Sequence, residues 1–230
     1  MGVVALVPAA GRGERLGYGL PKALVPVGGV PLLVRAVRGL VDSGRVQHVV
    51  IAAPPSDVDI VSTVTAPLAP AGGAVLVVPG GAERSDSVRI ALAHALGELP
   101  GTTVVLVHDA ARAFTPPEVV KAVVDAVEAG CPAVIPVLPV VDTVKEVDAA
   151  GVVVATPDRA ALRVVQTPQG FDARVLSRAH ASGLHATDDA GLVERLGVPV
   201  ATVPGHPDAM KITTPFDLAV AEALLVGGRG

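Results

Sequence analysis

Five runs, Val3–Val7, Val46–Ala53, Ala74–Val78, Thr103–Val107 and Ala133–Val140, are apolar almost without interruption, and each is parted from the next by a stretch of different rhythm. A strand that alternates apolar and polar residues buries one face, whereas a strand apolar at nearly every position needs cover on both. Helices laid on either side of a parallel sheet supply that cover. The intervening stretches carry the helical period: Leu33, Val37, Leu40 and Val41 share one face, Val88, Leu92, Ala95, Leu96 and Leu99 a second, and Val120, Val123, Val124 and Val127 a third. The pattern predicts a doubly wound, Rossmann-like α/β fold with a mostly parallel sheet. With 230 residues, half of them hydrophobic, the chain is long enough for one domain with a stable core.

Local signals refine this reading. Thr115-Pro116-Pro117-Glu118 reads as a capping box with proline opening the helix, and Thr214-Pro215-Phe216-Asp217 starts a C-terminal helix in a similar way. After Val141 the rhythm breaks. From there to about Gly170, strand-forming residues (Thr143–Val147, Gly151–Ala155, Leu162–Val165) and the turn formers Asp148, Gly151 and Pro157 carry no helical period. The stretch is too short to bury its own core, so residues 141–170 are expected to form a protruding β-arm on a single domain spanning 1–230.

Composition narrows the ligand. The formal net charge is −4 and the aromatics are Phe114, Phe171, Phe216 and Tyr18 alone, which offers neither a basic footprint nor a stacking platform for nucleic acid. A nucleotide fits better than a polymer. Cys131, the single cysteine, excludes an internal disulfide and a cysteine-rich metal site and suits a cytoplasmic protein; next to Pro132 it reads as a small core residue. The apolar runs are short and broken by Pro and Gly, so no membrane span is expected.

The first run opens into Pro8-Ala9-Ala10-Gly11-Arg12-Gly13-Glu14-Arg15-Leu16, a Gly/Arg-rich loop that ends in Pro21-Lys22. Glycines let backbone N–H groups approach phosphate oxygens, and Arg12, Arg15 and Lys22 supply positive charge. The loop is not a dinucleotide fingerprint, because Leu16 stands where the third glycine belongs, nor a Walker loop, because Lys22 lies between Pro21 and Ala23. An ordinary β–α connection with solvated arginines is the plain alternative, but connections this long are usually functional.

Two further polar clusters follow strand ends, where open α/β sheets bind their ligands. In Gly80-Gly81-Ala82-Glu83-Arg84-Ser85-Asp86-Ser87, backbone amides and the Ser87 hydroxyl can read a base edge or a phosphate, or Ser85 or Asp86 can simply cap a helix. In His108-Asp109-Ala110-Ala111-Arg112, the carboxylate of Asp109 suits a Mg2+ whose other ligands are phosphate oxygens and water. His108 reads as a satisfied, half-buried histidine in preference to a general base. No nucleophile constellation exists. That is consistent with attack by a phosphate monoester, already largely ionised at neutral pH with a second pKa of about 6.

The ordered set PAAGRGERLG…PK, GGAERSDSV, VHDAAR, DTVK, TPDR, QTPQGF, TDDA and MKITTPFDL, spread over nearly the whole chain, closely resembles the 2-C-methyl-D-erythritol 4-phosphate cytidylyltransferase family of the non-mevalonate isoprenoid pathway. The length resembles the stand-alone enzyme, without the cyclase domain fused to it in some bacteria. The resemblance implies transfer of CMP from CTP to a polyol phosphate with release of pyrophosphate. By motif match it places Ala9, Ala10, Gly11 and Gly13 on the nucleotide, Arg15 and Lys22 on the triphosphate, and Gly81, Ala82 and Ser87 at the cytosine. It also places Mg2+ on Asp109, Lys211 beside Lys22 at the α-phosphorus, and Thr143, Arg159, Thr167 and Thr187 on the sugar phosphate. A homodimer is implied, with Thr143 and Arg159 acting across subunits. Three positions depart from the family's usual pattern: Ala82 where a polar or acidic residue is frequent, Ala113 where proline is common, and Gly191 where serine is frequent. Ribitol 5-phosphate cytidylyltransferase and a non-catalytic nucleotide-binding module on the same scaffold remain the alternatives.

Overall fold

A computed structural model describes residues 2–11 and 19–227. In chain order the elements are β1 (Gly2–Pro8), β2 (Pro26–Val27), β3 (Val30–Pro31), α1 (Leu32–Asp42), β4 (His48–Ala53), α2 (Val58–Thr65), β5 (Ala74–Pro79), α3 (Arg84–Glu98), β6 (Thr102–Val107) and α4 (Pro117–Glu128). They continue with β7 (Ala133–Pro139), β8 (Glu146–Val147), β9 (Val153–Ala155), β10 (Arg163–Val165), β11 (Gln169–Asp172), α5 (Ala173–Ala181), α6 (Asp189–Arg195), β12 (Ala201–Pro204) and α7 (Pro215–Val226). All five apolar runs are strands of one mixed, mostly parallel sheet with helices on both faces, as the sequence predicts.

Along the main path the order is β10-β7-β11-β6-β1-β4-β5, with β12 also pairing with β7. The strands β6, β1, β4 and β5 run parallel, while β11 lies antiparallel between β6 and β7. Successive residues of β1 divide between the two faces: Val3, Ala5 and Val7 join the core against α1 and α4, and Val4 and Leu6 join the core against α3 and α5. Strand β4 splits in the same way, with Val49, Ile51 and Ala53 on one side and Val50 and Ala52 on the other. Burial on both faces is what made these runs continuously apolar.

The helical faces hold with one exception. Leu33, Val37 and Leu40 of α1 and Val120, Val123, Val124 and Val127 of α4 are buried, but Leu96 of α3 is exposed. The matching side of α3 is carried by Val88, Ala91, Leu92 and Ala95. The two predicted caps part company. Thr214 accepts from the Asp217 N–H and Asp217 returns a bond to the Thr214 N–H, a complete capping box. Thr115 makes no cap: its hydroxyl donates to the Arg112 carbonyl, and Pro116 occupies the capping position of α4 without a side-chain bond. Cys131 is half-buried and packs against the core.

The break after Val141 is narrower than its sequence limits. Within this stretch β8 and β9 alone stand apart from the main sheet, as a two-stranded hairpin whose residues are exposed. Residues 163–165 rejoin the main sheet on β7, and the chain is buried again at Gln166, Thr167, Gln169 and Phe171. Among the described residues no helix is long and apolar enough to cross a membrane.

Candidate active site

At the carboxyl ends of β1, β5 and β6 lies a cleft of about 250 Å³ lined by Ala9, Ala10, Gly11, Lys22, Gly81, Ala82, Arg84, Ser87, Asp109 and Lys211 among others. Each of the three polar clusters contributes to it because each follows a strand end on the same edge of the sheet. The Ala9 N–H donates to the Ala52 carbonyl of the neighbouring strand, and the Lys22 N–H reaches the Gly11 carbonyl at 3.4 Å, closing the two ends of the opening loop on each other. Gly13 and Arg15, expected on this loop, lie outside the described residues.

The Gly80-Gly81 turn is packed too tightly for side chains. A Cβ on Gly80 would stand 2.8 Å from the Ala10 Cβ and 2.9 Å from Ser87 Oγ, so glycine alone lets the turn and the opening loop approach this closely. Ser87 lines the cleft and also shapes it. Its buried hydroxyl accepts from the Gly81 N–H (3.1 Å) and donates to the Glu83 carbonyl (3.1 Å), so it builds the turn that faces the cleft. The helix α3 is capped by Glu83 with Asp86 as its return partner, not by Ser85 or Asp86.

Asp109 is the electrostatic centre. Its Oδ2 is 2.7 Å from Lys211 Nζ and its Oδ1 accepts from Arg84 Nε at 3.1 Å. Burial alone would raise the Asp109 pKa, but Arg84 and Lys211 outweigh it and hold the carboxyl well below the usual range, so it is ionised throughout the neutral region. Lys211 is delivered from far along the chain. The next residue, Ile212, is fully buried and its N–H donates to the Ala111 carbonyl at 2.9 Å, which pins the lysine beside the strand end. Arg112 braces the same corner by donating to the carbonyls of Ala209 (2.7 Å) and Val165 (3.1 Å).

Behind Asp109, Thr167 is buried and its hydroxyl accepts from the Asp109 N–H at 3.0 Å while pairing with His108 Nδ1 at 3.0 Å. His108 is fully buried rather than half-buried, with no partner for Nε2 among the described residues. Burial lowers its pKa from 6.5 to about 4, which keeps the ring neutral and out of contact with solvent, unsuited to general-base work in the cleft.

A second, smaller cleft shares Glu83 and Arg84 with the first and is lined also by Ser85, Thr187, Asp188 and Asp189. Thr187 is therefore close to the centre, though Asp188, not Thr187, caps α6, accepting from the Gly191 N–H at 2.9 Å. Thr143 and Arg159 are not brought in. Both are exposed and line neither cleft, and the Arg159 guanidinium donates to the Val141 carbonyl.

Three residues at the centre were missed by the sequence reading: Arg84, Asp189 and His180. Arg84 Nη1 donates to Asp189 Oδ2 at 2.8 Å, and Asp189 Oδ1 pairs with His180 Nε2 at 2.9 Å. One signal for Arg84 was available. A cation in the first turn of a helix opposes the helix dipole, so an arginine there calls for an outside partner. Nothing local marked His180.

Among the described residues no three His, Cys, Asp or Glu side chains gather as a metal site. The ionised carboxylate of Asp109, although paired with Arg84 and Lys211, keeps lone pairs at the cleft for a hard cation that draws its remaining ligands from phosphates and water.

The family described as IspD, 2-C-methyl-D-erythritol 4-phosphate cytidylyltransferase, matches residues 3–227. A 2-C-methyl-D-erythritol 4-phosphate cytidylyltransferase from Saccharopolyspora erythraea is 68% identical over 226 residues, 98% of this chain and 100% of that protein. The crystal structure of the enzyme of the same name from Thermus thermophilus superimposes with a TM-score of 0.77 at 39% identity, over 97% of this chain and 98% of that one. The 4-diphosphocytidyl-2C-methyl-D-erythritol synthase of Anaerococcus prevotii gives a TM-score of 0.83 at 28% identity over 98% of each chain.

Proposed function

Since this chain belongs to the 2-C-methyl-D-erythritol 4-phosphate cytidylyltransferase family, we propose that the cleft around Asp109 is where it carries out that family's reaction. The protein is a CTP-dependent cytidylyltransferase. It transfers CMP to 2-C-methyl-D-erythritol 4-phosphate, giving 4-diphosphocytidyl-2-C-methyl-D-erythritol and pyrophosphate, in isoprenoid precursor biosynthesis. The observation that carries the assignment of the site is the convergence of Lys22, Lys211 and Asp109 with the Gly80-Gly81 turn on one cleft.

In this reading the acceptor's phosphate oxygen attacks the α-phosphorus of CTP in line. A new O–P bond forms as the bond to the β-phosphate oxygen breaks, and pyrophosphate leaves with that electron pair. The attacking monoester is already ionised at neutral pH, so no base is needed. Catalysis then rests on geometry and on cations aimed at the charge that spreads over the phosphoryl oxygens in a loose transition state. Lys22 and Lys211, both lining the cleft, supply that charge, and the family's motif assigns Arg15 to the same task. Ala9, Ala10, Gly11, Gly81 and Ala82 form the wall against the nucleotide, joined by Gly13 through the family's motif, while the Ala9 and Gly81 N–H groups stay on the Ala52 carbonyl and Ser87 Oγ and fix the loop and the turn. Asp109 would hold Mg2+, whose contribution when bound is to neutralise triphosphate charge.

With Thr167 engaged behind Asp109 by the Asp109 N–H and His108, the acceptor is met by Thr187, Thr143 and Arg159. The last two belong to the neighbouring subunit of a homodimer, with the arm of 141–162 as the bridge. What supports this part is the exposure of Val141, Val147, Val152, Val153 and Val154 along the arm, an apolar surface suited to a second copy of the chain. A cytoplasmic location is part of the same reading and rests on the use of a single cysteine.

Pyrophosphate release from CTP with 2-C-methyl-D-erythritol 4-phosphate, and separately with ribitol 5-phosphate, tests the assignment of the cleft when run on wild type and Asp109→Asn over a Mg2+ titration. Release with the first acceptor, abolished by chelation and shifted to higher Mg2+ in the variant, is expected. A titration unchanged by Asp109→Asn would remove Asp109 from the metal site.

A further inference from the structure

Asp189, His180 and Arg84 have no role in the mechanism as described, yet they form a connected chain that ends on Asp109. Asp189 is 2% exposed and both its oxygens are taken, Oδ2 by Arg84 and Oδ1 by His180. A buried carboxylate is tolerated only with such partners. Burial would raise its pKa, but His180 and Arg84 hold it below the ordinary range. The backbone around it is fixed too: Gln169 of β11 donates to Asp188 at 2.6 Å and accepts from the Ala190 N–H at 3.0 Å. Asp189 is thus an anchor that cannot turn away.

Arg84 spans from this anchor to the reaction centre. Its Nη1 is on Asp189, its Nε is on Asp109, and the third of its side chain left exposed (34%) forms the wall common to the two clefts. Its place in the first turn of α3 is unfavourable for a cation, which the two carboxylates offset.

We propose that the buried Asp189–His180 pair is a positioning device, which fixes Arg84 between Asp189 and Asp109 and so holds the Asp109 carboxylate and a permanent cation at the seam between the nucleotide and acceptor clefts. The inference rests on the reading of the main cleft as the CTP site. An ion cluster that only tied α3 to α6 would change stability and all kinetic parameters in parallel; a positioning device separates them.

The test compares wild type, Asp189→Asn, His180→Leu and His180→Gln in pyrophosphate release, equilibrium CTP binding and thermal midpoint. In Asp189→Asn and His180→Leu, kcat falls about 10–100-fold, the usual cost of removing a group that orients a ligating side chain. CTP affinity falls by a clearly smaller factor than kcat, because Ala9, Ala10, Gly81 and Ala82 of the same cleft take no part in the Asp189–Arg84–Asp109 chain. His180→Gln, whose amide can donate to Asp189 Oδ1, recovers most of the turnover. If Asp189→Asn does not fold, the contrast between His180→Leu and His180→Gln decides. Turnover near wild type in folded His180→Leu, or a loss of CTP affinity in step with kcat, overturns the proposal while wild-type release stands. Absence of release from the wild type overturns the reading of the cleft and the inference with it.

Discussion

Lys211 Nζ sits 2.7 Å from Asp109 Oδ2, so a lysine delivered from near the C-terminus and a carboxylate at the end of β6 neutralise each other across the cleft. The pairing holds a cation at the site where an anionic substrate would arrive, and it keeps Asp109 ionised despite its burial. The residues proposed to carry the chemistry therefore also hold the cleft together.

Removing a single transition-state cation should affect rate far more than folding. Lys22→Ala and Lys211→Ala are each expected to lower kcat by roughly 10²–10³, as for the loss of one preorganised donor. Steady-state kinetics beside a thermal melt makes the check, and near-normal turnover would take either lysine out of the mechanism.

Gly80→Ala is expected to disrupt the cleft without touching a charge. The added methyl meets Ala10 Cβ at 2.8 Å and Ser87 Oγ at 2.9 Å, and moving either shifts the opening loop or breaks the Ser87 bond to the Gly81 N–H. CTP binding measured calorimetrically should weaken at least tenfold, about 1.4 kcal/mol. Unchanged affinity would mean that the base and triphosphate do not use this turn.

Arg159→Ala should raise KM for the polyol phosphate and leave CTP affinity nearly intact. In the proposed homodimer, mixing Arg159→Ala with Lys22→Ala subunits should restore activity, because one of the two composite sites would then carry both intact residues. Failure of such mixtures, with heterodimers verified by mass, would argue that Arg159 does not act across subunits.

Stability should also depend on pH through His108. Its pKa falls from 6.5 to about 4 in the fold, so unfolded chains take up the proton first as pH drops. The native state keeps its full margin above pH 6.5, loses it progressively toward pH 4, and has lost about 3 kcal/mol from this group below that. Below the ordinary carboxylate range Asp109 and Asp189, both held low in the fold, add a further loss as they protonate. Denaturant midpoints at about pH 8, 6 and 4.5 for wild type and His108→Gln would measure it, and equal slopes in the two proteins would assign the effect elsewhere.

The sequence by itself determined the fold class, because burial on two faces writes itself into runs such as Val3–Val7 as unbroken apolarity. It also marked the opening loop, the Gly80-Gly81 turn and Asp109, since glycines and a lone carboxylate at strand ends are local features. Capping shows where such reasoning stops: Thr214 and Thr115 head nearly identical motifs, yet only Thr214 caps a helix, the other being turned back onto the Arg112 carbonyl. Tertiary structure alone decided how the charges pair. Arg84 meets Asp189 across 105 positions, and no periodicity or turn signal encodes an ion pair between residues that only the closing of the sheet brings together.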